Sequence, residues 1–307
     1  MKHYILRSMM FVPGNNEKLL RSASRTNADA LILDLEDSVI DNSKQEARDT
    51  IKKILPEDIF KKFHVFIRLN DRDSGFLEKD ISNLMLEEVT GFVFPKSYGK
   101  DDIIFFENLL EKNETEKGFP KGKFKIIPLI ETASAVLHAE DICRASERII
   151  AVAFGSEDFC ADIQGIHDKE GKSLLVPRAL TVMAARATGV IPIDTLHVNV
   201  HDLEDLEDNL KLARILGFEG MLLLHPKEIE LAHKYFTPYQ KEVEEAREML
   251  RLTEEAREKN TRVAIMNGTF IGPPMVRIAK KIIERDKQIK EWKNMKTNKI
   301  DYRLDRE

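Results

Sequence analysis

A short apolar run that ends in carboxylates occupies residues 30–37, Ala30-Leu31-Ile32-Leu33-Asp34-Leu35-Glu36-Asp37. A run of this length predicts a buried β-strand, and the acidic residues predict its end. Comparable runs occur at residues 8–12, 64–70, 91–96, 124–131, 149–155, 193–200 and 220–226. Each of the eight runs is followed by a helical stretch, so the sequence alternates between strand and helix.

Eight such units over one continuous segment predict an α/β fold, a closed (β/α)₈ TIM barrel formed by residues 1–237. An open, doubly wound sheet would be expected to carry a glycine-rich phosphate loop after an early strand, and neither G-x-G-x-x-G nor a Walker A motif occurs. Residues 238–307 form a predicted C-terminal helical appendix, with a long helix at 240–259 and a second helix starting at Pro274.

Two capping residues and one histidine pair are further expectations. Ser74 is predicted to cap the helix after strand three, and Asp37 the helix after strand two. The spacing of His197 and His201 places both on one face of strand seven, but no cysteine or third histidine completes a metal site. His225, at the end of strand eight, is predicted to form hydrogen bonds at the barrel mouth.

The composition argues against a nucleic-acid-binding protein and against a membrane protein. A net charge of −5 with 33% charged residues gives no basic field for a nucleic-acid backbone. Cys143 and Cys160 are predicted to be reduced thiols, as is usual in the cytosol. No apolar run approaches the ~20 residues of a membrane span. We therefore expect a cytoplasmic protein without a nucleic-acid or membrane partner.

Charged residues follow five of the predicted strands. They are Asp34, Glu36 and Asp37 after strand two, Arg68 after strand three, Lys96 after strand four, Glu131 after strand five, and Glu157 and Asp158 after strand six. Barrel enzymes place their chemistry at these carboxyl ends, and carboxylates that share one mouth repel each other unless a cation lies among them. Oxygen ligands favour Mg²⁺ or Mn²⁺.

Arg68 beside such a metal would clamp a substrate carboxylate through two parallel hydrogen bonds. The metal would chelate the carboxylate and keto oxygens of a 2-oxo acid and stabilise charge as a C–C bond forms or breaks. Taken singly, each strand-end acid is more often a helix cap or a structural ion pair, and Arg68 alone would only balance Glu36. The coincidence of five charged strand ends favours a site.

Several stretches resemble the citrate lyase β-subunit family, which includes citryl- and malyl-CoA lyases of the pyruvate-aldolase barrel superfamily. The similar stretches are residues 7–15, 33–39, 68–70, 128–132, 154–159 and 216–220. The resemblance implies that Glu131 and Asp158 are the catalytic metal ligands. It also implies that Arg68 binds the substrate. Glu36 would be a further catalytic residue, placed behind the residues that contact the metal and the substrate.

The resemblance also implies partners. Pro13, Gly14 and Lys18 would lie near the phosphates of a CoA or acyl-carrier arm, and Lys96 would contribute to substrate binding. The appendix would pack across a homotrimer interface and cover a neighbour's active site. The implied reaction cleaves a citryl, malyl or citramalyl thioester to an acyl thioester and a 2-oxo acid such as oxaloacetate, with citrate lyase-type complex subunits as further partners.

The sequence departs from the family pattern at three positions. Gly272 stands where thioester-active members have an aspartate thought to handle the acetyl proton. Met221 replaces a lysine on strand eight, which we expect to remove a cation from the mouth, and Asn199 replaces a frequent aspartate on strand seven. Two alternatives therefore remain: a 2-oxo-acid aldolase or lyase that uses no thioester, and a binding protein or accessory subunit without turnover.

Overall fold

Eight parallel strands close into a barrel in which β8 pairs with β1. The computed structural model of the protein describes residues 4–304, apart from 167, 169, 170, 260 and 262, and side chains as far as residue 297. The barrel strands are β1 Ser8–Pro13, β2 Ala30–Asp34, β3 His64–Arg68, β4 Gly91–Phe94, β5 Lys125–Ile130, β6 Ala151–Phe154, β7 Ile191–Asp194 and β8 Gly220–Leu223. The predicted TIM barrel is confirmed.

One or more helices follow each strand of the barrel. They are α1 Glu17–Ala23, α2 Lys44–Ile54, α3 Leu77–Leu84, α4 Lys100–Lys117, α5 Ala133–Leu137, α6 Ala139–Arg144, α7 Ser156–Asp162, α8 Lys172–Thr188, α9 Leu203–Leu216 and α10 Ile229–Phe236. Strands β2 and β6 are buried along their whole length, as expected for strands covered on both faces. Because all eight strands are parallel, their carboxyl ends lie at one rim.

Strand β7 is shorter than predicted and begins earlier. The sequence analysis placed it at residues 193–200, whereas it spans Ile191–Asp194. The chain leaves the barrel after Asp194, whose buried carboxylate is paired with Arg178 of α8. Residues 195–200 alternate apolar and polar side chains like a strand but lie in the loop before α9. The prediction that His197 and His201 share a strand face was therefore wrong.

Both predicted helix caps were also wrong. Ser74 accepts a hydrogen bond from the Phe76 amide in a turn before α3, and the α3 N-cap itself has no side-chain bond. Asp37 does not cap α2, which begins after Ser43. Its carboxylate instead pairs with Arg68, because β2 and β3 end side by side.

The chain divides into two compact units, Leu6–His233 and a second unit that contains Ile5 and the residues from Lys234 onward. The second unit comprises α11 Gln240–Glu258, the two-stranded pair β9 Ile265–Met266 and β10 Thr269–Phe270, and α12 Pro273–Leu304. The two predicted helices are confirmed. Pro273 and Pro274 are the first two residues of α12. The assignment of residues 238–307 to a subunit interface stays a prediction.

None of the described helices combines the length and the apolar composition needed to cross a bilayer.

Candidate active site

A cavity of about 420 Å³ opens at the carboxyl ends of the barrel strands. All the strands except β4, or the loops that follow them, contribute to its described wall. Its apolar wall residues are Phe11, Pro13, Leu129, Leu196, Leu222 and Leu224. Its charged wall residues are Asp34, Asp37, Arg68, Glu131, Glu157 and Asp158. The cavity therefore combines an apolar wall with a concentration of carboxylates.

Arg68 is held at the end of β3 by carboxylates from the end of β2. Its Nε and Nη2 atoms donate to the two carboxylate oxygens of Asp34 at 2.6 and 2.8 Å, and this pair is in register across the two strands. Its Nη1 atom donates to Asp37 at 2.9 Å and lies 3.1 Å from Glu36. The guanidinium also lies over the Phe11 ring, 4.8 Å from its centroid. The two-bond contact predicted for a substrate is thus made with Asp34.

Glu131 follows β5 and is almost completely buried. Its Oε1 atom accepts a hydrogen bond of 2.6 Å from the Lys96 backbone N–H. Lys96 has a φ of 51°, a left-handed conformation that is uncommon for a residue other than glycine. On the other side, a β-carbon at Gly155 would lie 2.8 Å from Glu131 Oε2, so only glycine leaves this carboxylate its space. These contacts fix the carboxylate at the cavity wall.

The acids at this rim are difficult to ionise. Burial, followed by the charge of Glu36, raises the pKa of Glu131 to about 8. Burial also raises the pKa of Glu36 to about 7, although Arg68 opposes the shift. The pKa of Asp158 is raised by burial and by the charge of Asp37. Asp34 differs: burial opposes its ionisation, but the adjacent Arg68 outweighs this and lowers its pKa.

The donor set fits a hard divalent cation. Glu131 and Asp158 both line this cavity, and burial together with neighbouring negative charge raises the pKa of each, so a cation placed between them would favour their ionised forms. Within the described ranges, no group of three or more acids, histidines or cysteines is close enough to form a metal site. Two carboxylates suffice for Mg²⁺, which keeps positions for water and substrate oxygens. Glu131 and Asp158 would hold it.

Asp158 lies in the first turn of α7, and a residue just after β7 caps this turn. The N-cap residue Gly155 has no side chain to satisfy the free amides of the helix. Thr195, just after β7, instead accepts the Ser156 amide at 3.0 Å through Oγ1 and donates to Ser156 Oγ at 2.7 Å. Asp194, paired with Arg178, accepts the backbone N–H of Thr195. A buried ion pair thus fixes the residue that caps α7.

We expect Thr195→Val to lower the free energy of unfolding by about 1–2 kcal/mol, because it leaves the buried Ser156 amide without an acceptor. Valine has the same shape, so packing at this buried position is retained. Urea denaturation monitored by circular dichroism measures the difference. Thr195→Ser keeps the hydroxyl and is the matched control. Equal stability of Thr195→Val and the wild type would contradict the capping role.

Four of the eight residues predicted for the site lie in the cavity wall: Pro13, Arg68, Glu131 and Asp158. The other four lie elsewhere. Glu36 is buried behind Arg68 and Lys96, with its Oε1 atom 3.2 Å from the Lys96 ammonium. Gly14 donates its amide to the Asp34 carbonyl at 2.9 Å, where a β-carbon would clash. Lys18 is exposed on α1.

A second cavity of about 310 Å³ lies beside the β7–α9 loop and shares only Leu196 with the described wall of the first. Met221 and Asn199 line this second cavity, so the prediction that Met221 removes a cation from the active-site mouth was wrong. His197 is buried beside Asp205, 3.6 Å away. His225 forms a hydrogen bond as predicted, accepting from the Lys227 amide, but it is not among the residues that line the first cavity, so its predicted place at the mouth stays a prediction.

Three contributors to the site were not identified from sequence: Phe11, Gly155 and Thr195. Phe11 and Gly155 belong to stretches that the sequence analysis noted, but only the closed barrel brings them against Arg68 and Glu131. Thr195 was assigned to the middle of a strand. A correct end for β7, directly after the buried Asp194, would have indicated it as a loop residue at the rim.

Known proteins share both sequence and fold with this chain. The citrate lyase subunit beta of Haemophilus influenzae is 32% identical over 281 residues, which cover 92% of this chain and 97% of that protein. The mitochondrial citramalyl-CoA lyase of Rattus norvegicus is 28% identical over 300 residues, covering 94% and 88%.

The solved structures agree with the fold. A citrate lyase from Burkholderia xenovorans LB400 has a TM-score of 0.82 at 19% identity, covering 93% of this chain and 92% of that one. The CitE protein of Mycobacterium tuberculosis, in complex with magnesium, acetoacetate and coenzyme A, has a TM-score of 0.72 at 23% identity, covering 91% and 97%. The HpcH/HpaI aldolase/citrate lyase family profile matches residues 7–226. The chain therefore belongs to the HpcH/HpaI aldolase/citrate lyase family.

Proposed function

We propose that this protein is a Mg²⁺-dependent carbon–carbon lyase that cleaves a 3-hydroxy-3-carboxyacyl thioester to an acyl thioester and a 2-oxo acid. The observation that carries the proposal is that Glu131, Asp158 and Arg68 line one cavity at the carboxyl ends of the strands. The named relatives, a citrate lyase subunit and a citramalyl-CoA lyase, support thioester chemistry. Homotrimeric assembly, cytoplasmic location and association with citrate lyase-type subunits stay predictions.

Each residue has a role in this proposal. The divalent cation would supply a Lewis acid for the oxygen on which charge develops. Glu131 and Asp158 hold that cation, and the Lys96 amide and Thr195 keep the two carboxylates in position. Arg68 binds the substrate carboxylate through Nη1, on the side where the exposed Asp37 now accepts its hydrogen bond. Asp34 keeps the guanidinium oriented throughout.

The direct test is turnover of purified protein with malyl-, citramalyl- and citryl-CoA, with free 2-oxo acid measured as its hydrazone. We expect Mg²⁺-dependent release from one of these thioesters and none with EDTA. Release from a free hydroxy acid, without a thioester, would favour an aldolase. Mg²⁺-dependent binding of 2-oxo acid without any turnover would favour an accessory or binding protein.

We expect Arg68→Lys to weaken Mg²⁺-dependent binding of the 2-oxo acid by at least tenfold, about 1.4 kcal/mol. A lysine carries its donors on one nitrogen instead of in a planar fork, so it cannot stay aligned with both Asp34 oxygens and also reach a substrate carboxylate as Nη1 does. Isothermal titration calorimetry measures the affinity, and a thermal melt verifies folding. Arg72→Lys is the matched control, since Arg72 pairs with Asp102 outside the cavity wall. Wild-type affinity in Arg68→Lys would make Arg68 purely structural.

A further inference from the structure

Lys44 is a buried lysine that is not paired with a carboxylate. It is the first residue of α2 and is only 5% exposed. Its ammonium donates at 2.8 Å to two backbone carbonyls, those of Leu35 and Glu36. Among the residues that the structure describes, no carboxylate forms an ion pair with this ammonium. Carbonyl dipoles therefore take the place of an opposite charge.

This position is unfavourable for a cation in two ways. An ammonium that leaves water without meeting an opposite charge loses free energy, which hydrogen bonds to carbonyls recover only in part. In addition, a cation in the first turn of a helix faces the positive end of the helix dipole, where acidic residues are favoured instead. The charge of Lys44 therefore does not stabilise α2. A residue that breaks two local rules indicates a role in the neighbouring site.

The two carbonyls belong to the start of the loop that joins β2 to α2. The Leu35 amide donates to the Arg68 carbonyl at 3.0 Å, so a backbone hydrogen bond holds this loop to the end of β3. The Glu36 carbonyl also accepts a hydrogen bond of 3.1 Å from the Val39 amide, which closes a turn in the loop. The Lys44 ammonium therefore joins this turn to the start of α2.

The acids of this turn contact the part of Arg68 that binds the substrate carboxylate in the proposed function. Glu36 Oε2 lies 3.1 Å from Arg68 Nη1, and the Asp37 carboxylate accepts a hydrogen bond from the same nitrogen at 2.9 Å. The other donors of the guanidinium, Nε and Nη2, are fixed separately by Asp34. A shift of the turn would therefore displace the acids around Nη1 and leave the rest of the guanidinium in place.

We propose that Lys44 is a positioning residue for the 2-oxo acid: it holds the turn at Glu36 and Asp37 so that Arg68 Nη1 exchanges the Asp37 carboxylate for that of the substrate. The inference rests on the proposed function, because it needs a substrate carboxylate at Nη1. Lys44 is not among the described residues of the cavity wall, so it acts through the turn and not by contact with the ligand. Binding of the metal should not depend on it.

The test makes two binding measurements on the full chain. Isothermal titration calorimetry measures Mg²⁺-dependent binding of pyruvate, and electron paramagnetic resonance measures binding of Mn²⁺ without pyruvate. We expect Lys44→Met to weaken pyruvate binding about tenfold, as for residues that orient a binding group, and to change Mn²⁺ affinity by less than about twofold. Lys44→Arg keeps a cation with several donors and should recover most of the pyruvate affinity. Loss of both affinities together, or of neither, would overturn the inference.

Lys52→Met is the matched control, because Lys52 lies exposed on the same helix and should not affect either ligand. A double-mutant cycle adds a second criterion. In the Arg68→Lys background, Lys44→Met should weaken pyruvate binding by less than about twofold more, because Lys44 acts through Arg68. A further tenfold loss there would overturn the inference. Lys44→Gln replaces Lys44→Met in both measurements if the latter does not fold. No pyruvate binding by the wild type would overturn the proposed function, and the inference with it.

Discussion

Glu131→Gln and Asp158→Asn are each expected to weaken Mg²⁺-dependent binding of a 2-oxo acid by about a hundredfold or more. Each substitution keeps the side-chain shape and removes one of the two carboxylates that the proposal assigns to the cation. Loss of residues that merely support a metal ligand already costs about 10- to 100-fold. Calorimetry with 2-oxobutyrate or pyruvate, at fixed Mg²⁺, measures the loss. Unchanged binding in both variants would exclude them as ligands.

Glu157→Gln is the matched control for both variants. Glu157 lines the same cavity and precedes Asp158 in the first turn of α7, so its substitution removes one negative charge from the same wall. We expect Glu157→Gln to change the affinity for the 2-oxo acid much less, because it removes a nearby negative charge but no metal ligand. An equal loss of affinity in Glu157→Gln would mean that the cavity binds the cation through its total negative charge and not through Glu131 and Asp158 as ligands.

The same site should make Mg²⁺ binding depend on pH. With the pKa of Glu131 raised from 4.5 to about 8, the metal-free carboxyl is protonated at neutral pH and must lose its proton to bind a cation. The folded state then binds a proton that the unfolded chain releases, so Glu131 makes metal-free stability fall as pH rises from about 4.5 to about 8. The rise in melting temperature on adding Mg²⁺ should therefore be larger at pH 8 than at pH 6. Equal rises would contradict this linkage.

The barrel was predictable because its signal is local. Each strand is a short apolar run, and the polar residue that follows it must lie at the rim, as Glu131 after β5 and Arg68 after β3 do. Strand β7 was less predictable because the loop after Asp194 alternates polar and apolar residues as a strand does. The last residue of the strand, Asp194, is paired with Arg178, 16 residues earlier in the chain, and such a pairing cannot be read from the local sequence.

The contacts within the site were harder to predict, because they depend on register between strands. Asp34 and Arg68 are directly opposed across β2 and β3, so the arginine fork is filled by a protein carboxylate before any substrate arrives. Sequence reasoning assigned that fork to the substrate and Asp37 to a helix cap. The left-handed backbone of Lys96, which directs its amide to Glu131, has no local sequence signal, since such a conformation usually predicts glycine or asparagine.

The prediction at Gly272 concerns proton transfer to and from the methyl carbon of the acetyl thioester. Cleavage of a 3-hydroxyacyl thioester leaves an acyl-thioester enolate that must be protonated, and the reverse reaction needs a base for the acetyl methyl group. The family resemblance implies an aspartate for this role at the position of Gly272, and glycine has no titratable atom. We therefore expect slow exchange of the acetyl-CoA methyl protons with deuterated water in the presence of Mg²⁺ and a 2-oxo acid.

Gly272→Asp should raise that exchange rate by about 10²–10⁴-fold, the usual contribution of a general acid–base group. The backbone accepts the change, since a β-carbon at Gly272 would meet its nearest neighbours, Phe270 and Pro274, at 3.5 and 3.6 Å. The residue directly precedes α12, where an aspartate is also a favourable N-cap. Nuclear magnetic resonance of the methyl signal measures the rate.

Gly272→Asn is the matched control, because asparagine has the same shape and capping ability as aspartate but cannot transfer the proton. A gain in Gly272→Asp alone would mean that the natural protein uses a different acyl carrier or reaction, or has kept a binding role. Rapid exchange in the wild type would instead mean that another group removes the proton. Glu36 and His225 would be the next candidates. Burial raises the pKa of Glu36 to about 7, so this base is half ionised near neutral pH.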